Sequence, residues 1–386
     1  MRALVLGGAG AVCKETTRDL SEYSDFDDII VADYDIDAAT RLVDSLSDPR
    51  LKPLFFDAND NARMRQVFPE FDVVVNGLPY QFDLPVNEAC VEVGVNGLDL
   101  SSEDPQFDLD SQALEKEMIY IPGMGATPGI TNMMVRRASE VLDLLDEVEI
   151  YFAAFRCLAP APGLLQTTLW EFNPEEDDRA EVYYEDGGWR SAPPLSGGIP
   201  VSFHDLIGEQ TVYYVPHDES NTLSRSFPSL RRAAVRGCFP PHVMALMGAL
   251  MRGGLLTSRP VQLGDASIPA IEVVSRLLAD NPVSKENPVW AYGLVVQATG
   301  IRDGRRVVCT YRNNHPPQEE WGGESAYFKN VGIPLSIGAQ LIAGGQATAR
   351  GVKPPEQALP TGPFFEALAR RGIHVEEVIE ETGRLA

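Results

Sequence analysis

The 386-residue sequence predicts an α/β fold: a doubly wound parallel sheet, then a second α+β domain and a C-terminal return. Three observations carry this. The chain opens on a short apolar run, Ala3-Leu4-Val5-Leu6, of the kind buried on both faces of a parallel sheet. Gly7-Gly8-Ala9-Gly10 follows, and then a helix-like segment with Val12 and Leu20 apolar between polar residues. A second buried-type run, Asp28-Ile29-Ile30-Val31-Ala32-Asp33, comes next, and strand-like and helix-like runs keep alternating to residue 125.

Strand, glycine turn and helix in that order form the context in which a G-x-G-x-x-G pattern binds a dinucleotide, as in a Rossmann domain. Gly8 is expected to allow the tight turn, and Gly10 to let the backbone approach a pyrophosphate at the helix N-terminus. Ala9, Ala11 and Val12 complete that cofactor-binding stretch, while Cys13 stands where the third glycine would. Asp33 falls roughly 20 residues beyond the turn, where a carboxylate accepts from the ribose hydroxyls and repels a 2′-phosphate. Tyr34 follows it, not Arg. NAD is therefore expected over NADP.

The remaining elements of this region follow in order. Helical spacing runs from Asp37 to Leu46, a strand from Leu54 to Asp57, and a helix from Asn61 to Phe68. Phe71 to Asn76 reads as a fourth strand, Pro85 to Gly94 as a helix, Val95 to Leu100 and Met118 to Ile121 as further strands. Ligands of such sheets lie beyond the carboxyl ends of the strands, which gathers Gly8, Gly10, Asp33, Asp57, Asn76, Pro79, Tyr80 and Asp99. Domains are expected at 1–125, 126–330 and 331–386: nucleotide-binding, substrate and oligomerisation, and a segment returning toward the first. In the second, a helix is expected from Ile130 to Leu145. Strands are expected at Val148–Ala154, Glu181–Tyr184, Thr211–Val215, Val261–Leu263, Val289–Gly300 and Arg305–Tyr311. Helices fall at Pro241–Gly253 and Pro269–Leu278, a solvated acidic loop at Pro174–Asp178, and a helical apolar stretch at Pro334–Ile342.

Composition excludes several function classes. The formal net charge of −24 repels nucleic acid and anionic membrane, and no apolar run approaches the ~20 residues that span a bilayer. The five cysteines, an odd number without C-x-x-C spacing, argue for reduced thiols and a cytoplasmic location. The five histidines show no metal-ligand spacing, so no metal site is expected.

The stretches GAGAVCKETTRDL (8–20), VVVNGLPYQF (73–82), GATPGITN (125–132), NTLSRSFP (221–228), AQLI (339–342) and RGVKPPEQALP (350–360) resemble the saccharopine dehydrogenase-like family, most nearly its lysine 6-dehydrogenase branch. Cys13, Gly332-Ile333-Pro334 and the acidic stretch from Trp170 to Pro194 depart from the family. The resemblance implies NAD(P)-dependent chemistry on the C–N bond of an amino-acid substrate, and a homo-oligomer. The expected reaction is oxidative deamination of the lysine ε-amine. Alternatives are a saccharopine- or carboxynorspermidine-type reductase that joins an amine to a semialdehyde or keto acid, and a non-catalytic NAD-binding regulator.

Amine oxidation needs a proton acceptor beside the reacting carbon. Asp99, after the fifth strand, and Tyr80, after Pro79, are the catalytic candidates; either could instead be structural. Asn76 would fix its loop or touch the ribose. Arg225 and Arg236 offer planar forks for a substrate carboxylate, and the Thr127-Pro128-Gly129 turn offers backbone amides near the same substrate. His217 reads as a loop residue outside the catalytic set.

Overall fold

The computed structural model describes residues 1–175, 181–281 and 289–381. It divides into two compact units, 1–137 with 328–374, and 138–327 with 375–386.

The first unit alternates strands β1 (Arg2–Leu6), β2 (Asp28–Asp33), β3 (Leu51–Phe55), β4 (Val73–Asn76), β5 (Asn96–Leu98) and β6 (Ile119–Ile121) with helices. The helices are α1 (Cys13–Tyr23), α2 (Ile36–Leu46), α3 (Asn61–Val67), α4 (Asp83–Val93), α5 (Asp104–Phe107), α6 (Asp110–Glu115) and α7 (Ile130–Val141). Asp35 and Asp60 start α2 and α3 by accepting from the amides of Ala38 and Arg63, which satisfies donors the helix cannot. β1, β2 and β4 are buried nearly throughout because helices cover both faces, which is why they read as unbroken apolar runs. Edge strand β3 exposes Lys52, Pro53 and Phe55, so its apolar signal is weak and the sequence places it three residues late.

The second unit is built on β7 (Leu144–Phe155), β8 (Tyr183–Glu185), β9 (Gly188–Arg190), β10 (Ile199–Ser202), β11 (Glu209–Tyr214), β12 (Arg232–Cys238), β13 (Pro260–Leu263), β14 (Ala266–Pro269), β15 (Ala291–Arg302) and β16 (Arg305–Asn314). Between them lie α8 (Pro162–Glu171), α9 (Glu219–Ser226), α10 (Pro241–Arg252), α11 (Ala270–Ala279) and α12 (Gln318–Trp321). After α13 (Ser325–Ala343) the chain enters the first sheet as β17 (Gly351–Val352), passes through α14 (Pro355–Ala358) and α15 (Thr361–Arg370), and ends in β18 (His374–Glu381).

The first sheet is all parallel, in the order β17-β6-β5-β4-β1-β2-β3. The second runs β10-β11-β12-β7-β15-β16-β18, with β8 and β9 attached at β12, and is mixed because β7 and β12 are parallel. Three expectations change here. α7 stops at Val141, and Leu144 and Leu145, which continue its apolar spacing, belong to β7. The segment 331–386 is divided, since β18 joins the second sheet; its burial is too slight to leave an apolar pattern. Of the acidic run Pro174–Asp178, residues 176–178 lie outside the described residues.

Two buried histidines brace the start of β15. The Tyr292 amide donates to His315 Nε2 at 3.0 Å, and His204 Nε2 lies 3.2 Å from the Tyr292 carbonyl. The His315 ring stacks on Trp321 at 5.1 Å. Burial, reinforced by His204, pulls the His315 pKa down to about 4, so the ring is neutral.

Cys13 has a specific partner in the first unit. A Cβ on Gly77 would lie 1.9 Å from Cys13 Sγ, so the thiol fills the space that Gly77 leaves open. Closeness missing on the helix side is supplied from the β4 side. Burial pushes this thiol up to about 12, so it is inert at neutral pH. Gly77→Ala should destabilise the protein by about 1–3 kcal/mol through overpacking. Cys13→Ala in the same chain should recover most of that loss, a coupling of about 1 kcal/mol or more in denaturant titrations of the four variants.

Candidate functional site

In the first unit the carboxyl ends of β4, β1, β2 and β3 are neighbours, which puts Asn76, the turn after β1, Asp33 and Asp57 along one edge. Gly7 carries the left-handed backbone of the turn (φ +64°), so the tight bend expected at Gly8 falls one residue earlier. Gly8 is needed for another reason: a Cβ there would lie 2.9 Å from Val31 Cγ1 and 3.0 Å from the Val5 carbonyl oxygen. A Cβ on Gly10 would meet only the Gly7 carbonyl, at 3.0 Å. Its other side is open.

The amides of Gly8, Ala9 and Gly10 are spent on the carbonyl of Ala32, the carboxylate of Asp33 and the carbonyl of Gly7. Among the described residues no acceptor takes the amides of Ala11, Val12 and Cys13, and no side chain caps α1. A helix start with orphaned donors beside an open glycine fits the pyrophosphate of a dinucleotide. Asp33 accepts from Ala9 through Oδ2 (3.1 Å) and from Asp35 through Oδ1 (3.0 Å), which holds its carboxylate at the rim of that turn. Beside it Tyr34 and Phe55 are 71 % and 55 % exposed, their rings 5.7 Å apart.

The other expected residues of this edge divide. Asp57 is occupied in a local turn, accepting from the amide and side chain of Asn59, which lowers its pKa. Asn76 is fully buried and fixes the next loop, donating to Asp83 at 2.7 Å and accepting from the Leu78 amide. Pro79 and Tyr80 are exposed in that loop. Asp99 has no exposed surface and takes hydrogen bonds from Gln106 (2.6 Å), Tyr120 (3.0 Å) and the Gly123 amide (3.1 Å). Burial raises its pKa to about 7 against those donors. With both oxygens committed inside the unit, Asp99 joins β5 to the 123–124 turn and does not present a base to a substrate. Nor does Gly129 present its amide, which donates to Asn132 at 2.9 Å; its φ of +127° and a Cβ position 1.9 Å from the Gly125 carbonyl require glycine. Thr127 stands half-buried in the same turn.

In the second unit the two expected arginines are not together. Arg225 is exposed in the last turn of α9, its Nε donating to Asn221 one turn back. Arg236 is buried and fully engaged: it donates to Glu149, to Tyr214 and to the Gly197 carbonyl, with its guanidinium 3.9 Å from the Tyr214 ring centroid. Glu149 pairs opposite Ala234, so Arg232 and Arg236, two positions to either side on β12, share its carboxylate. The fork of Arg236 is filled by protein, and it is not a carboxylate anchor.

A different cluster forms where β7 and β12 end and β15 begins. The Phe152 ring lies 6.3 Å from Phe239, 6.5 Å from Tyr292 and 5.4 Å from His217, and Tyr292 stacks on Tyr327 at 4.8 Å. Arg156, 2 % exposed, rests over Phe239 at 5.1 Å and Tyr327 at 5.5 Å and donates to the carbonyls of Cys157 and Leu158 and to Thr168. His217 pairs through Nδ1 with the fully buried Glu219. Burial opposes the imidazolium, but Glu219, with Asp218 and Glu171 behind it, outweighs burial and pushes the pKa up to about 9. Sequence reasoning set His217 aside and missed Arg156. The H-x-E spacing was visible, but nothing local signals that both side chains are buried.

Two outcomes follow. Gly10→Val should leave the fold intact and weaken NAD(H) and NADP(H) binding by about 100-fold or more in fluorescence titrations, since the branched side chain enters the open side of the turn. The His217–Glu219 pair, with its histidine pKa raised, adds stability present below about pH 6.5 and lost as pH rises toward 9. The melting temperature should therefore fall across that window in the wild type, and His217→Gln should flatten the decline.

Comparison with known proteins agrees with both units. Residues 3–121 match the family model of the saccharopine dehydrogenase NADP binding domain, and 125–373 that of the saccharopine dehydrogenase C-terminal domain. The chain is 25 % identical to a carboxyaminopropylagmatine dehydrogenase from Synechocystis, over 98 % of both chains. It is also 25 % identical to a carboxynorspermidine synthase from Vibrio alginolyticus, over 97 % of both. The solved structure of apo saccharopine dehydrogenase (L-Glu forming) from Saccharomyces cerevisiae superimposes with a TM-score of 0.68 at 15 % identity, covering 98 % of this chain and 99 % of that one, a likeness of fold. With a pyridine-nucleotide turn in one unit and matches along both, the chain belongs to the saccharopine dehydrogenase family of oxidoreductases.

Proposed function

We propose that this enzyme catalyses the reductive joining of a cationic amine to an aldehyde or keto acid, giving a secondary amine that carries a carboxylate. The ring-and-carboxylate cluster of the second unit is the observation that carries this reading. The half-buried Glu171 borders the rings of Phe152 and Tyr292, a carboxylate and ring edges suited to an ammonium group, while Glu219 is held by His217 and Arg156 covers Phe239 and Tyr327. The net charge of −24 draws polycations toward the protein as a whole. Relatives aligned over 97–98 % of this chain carry names that denote carboxylated polyamine-type products, which favours this branch over deamination of free lysine.

In this reading the first unit holds a reduced pyridine nucleotide, which when bound supplies a hydride for the carbon of the C=N bond. The amides of Ala11, Val12 and Cys13 receive the pyrophosphate, Asp33 accepts from the ribose hydroxyls, and the exposed rings of Tyr34 and Phe55 offer a face to the adenine. The matched family model is described as NADP-binding, yet a 2′-phosphate would face the Asp33 carboxylate. NAD is the cofactor proposed. Deamination of lysine is the same hydride exchange run oxidatively on a primary amine.

Absorbance of the reduced nucleotide distinguishes these readings. NADH should be consumed when a diamine or agmatine-type amine is supplied together with a carboxylated semialdehyde, and neither alone should suffice. NADPH should be used at least about tenfold less efficiently, and Asp33→Ser should narrow that ratio. Reduction of NAD by lysine with no aldehyde present would return the assignment to lysine deamination. Equal use of both nucleotides would remove Asp33 as the discriminator.

A further inference from the structure

The buried arginines of this chain differ in what they face. Among the described residues Arg156, Arg236 and Arg371 are buried. Arg236 pairs with Glu149 and Arg371 with Asp19, whereas no described carboxylate pairs with Arg156. Its charge meets the carbonyls of Cys157, Leu158 and Leu164, the Thr168 hydroxyl and the faces of Phe239 and Tyr327. Its Nε–H is buried without an acceptor. A buried guanidinium with no anion beside it is costly, and an arriving anion relieves that cost.

The place of this charge is a second observation. Nη2 of Arg156 donates to the Leu164 carbonyl (3.5 Å) and to Thr168 Oγ1 (2.6 Å), which sets the guanidinium against the first two turns of α8. Ala161, before that helix, gives it no side-chain cap, and Pro162 has no N–H. Among the described residues no acceptor takes the amides of Gly163 and Leu164, both half-buried. The positive end of the helix and the arginine therefore add at one spot. Glu171 ends the same helix, about 13 Å further along.

We propose that the first turn of α8, with Arg156 beneath it, is the subsite for the carboxylate of the aldehyde or keto-acid partner. This rests on the reductive joining proposed above, which calls for a carboxylated substrate. The carboxylate accepts from the amides of Gly163 and Leu164, the donors that the helix leaves unused. Arg156 is a positioning residue: it holds that turn through Leu164 and Thr168 and supplies local positive charge against a net charge of −24. The ammonium of the amine partner lies toward Glu171, where the carbonyl end of the helix favours a cation. An aldehyde without a carboxylate forfeits these bonds, so the turn discriminates against it.

NADH consumption with a saturating diamine tests this, comparing succinic semialdehyde with isocaproaldehyde, its uncharged counterpart of similar shape. The wild type should prefer the carboxylated aldehyde by about 100-fold or more in kcat/KM. Gly163→Asp sets a carboxylate at the first turn, where the helix favours it, so the melting temperature should hold or rise. The same variant should cut the preference to within about threefold, mainly through KM for the carboxylated aldehyde. Arg156→Met should also lose the preference and Arg156→Lys should retain most of it, a rescue by charge that packing alone would not give. A wild type without preference, or a folded Gly163→Asp that keeps it, would overturn the proposal. If no aldehyde supports NADH consumption, the reductive joining itself fails, and binding of γ-hydroxybutyrate followed by NMR then decides the subsite. That unreactive acid should bind the wild type and be weakened about tenfold or more in Gly163→Asp, and equal binding to both would overturn the subsite.

Discussion

The hydrogen bond from the Ala9 amide to the Asp33 carboxylate is the constraint on which the first unit's site depends. It ties the glycine turn after β1 to the end of β2, so the groups suited to pyrophosphate and ribose are positioned together. The surroundings leave little latitude. Val31 presses on Gly8 from one side and Gly77 lies beside Gly7 and Cys13 on the other. Only Gly10 faces open space, and the three amides beyond it are the donors left over. What a ligand would meet here is the remainder after the protein has satisfied itself.

The second unit solves the opposite problem, that of burying charge. Arg232 and Arg236 share Glu149 because the register between β7 and β12 sets that carboxylate between them, and Tyr214 takes a hydrogen bond from each. His217 is charged because Glu219 is beside it, whereas His204 and His315 are held neutral by burial among backbone groups. Identical side chains thus carry different charges within one unit, set by the partner that burial leaves them. Arg156 has carbonyls and ring faces around it in place of a carboxylate, which leaves its positive charge in the same ring cluster that the acids Glu171 and Glu219 border.

Membership of the family and the behaviour of single residues are separate matters here. The matches run along both units, yet the third glycine of the dinucleotide motif is a cysteine. The fold accommodates the thiol through Gly77, so a departure in the motif is absorbed by a neighbour rather than by the ligand site.

The sequence by itself determined the parallel first sheet, the turn after β1, Asp33 at the end of β2 and the identity of the family. Those features are written in short contiguous segments, where apolar period and the spacing from glycine to carboxylate suffice. Legibility failed wherever the deciding contact was distant in the chain. Arg236 is spent on a glutamate 87 residues away, Asp99 is sealed in by Gln106, Tyr120 and Gly123, and His217 owes its charge to the burial of Glu219. Edge strand β18, half of it acidic, carries no apolar run to betray it. Only the tertiary structure decided these, because whether a polar group is free for a ligand depends on which strands and helices become its neighbours, and neighbourhood is not a property of local sequence.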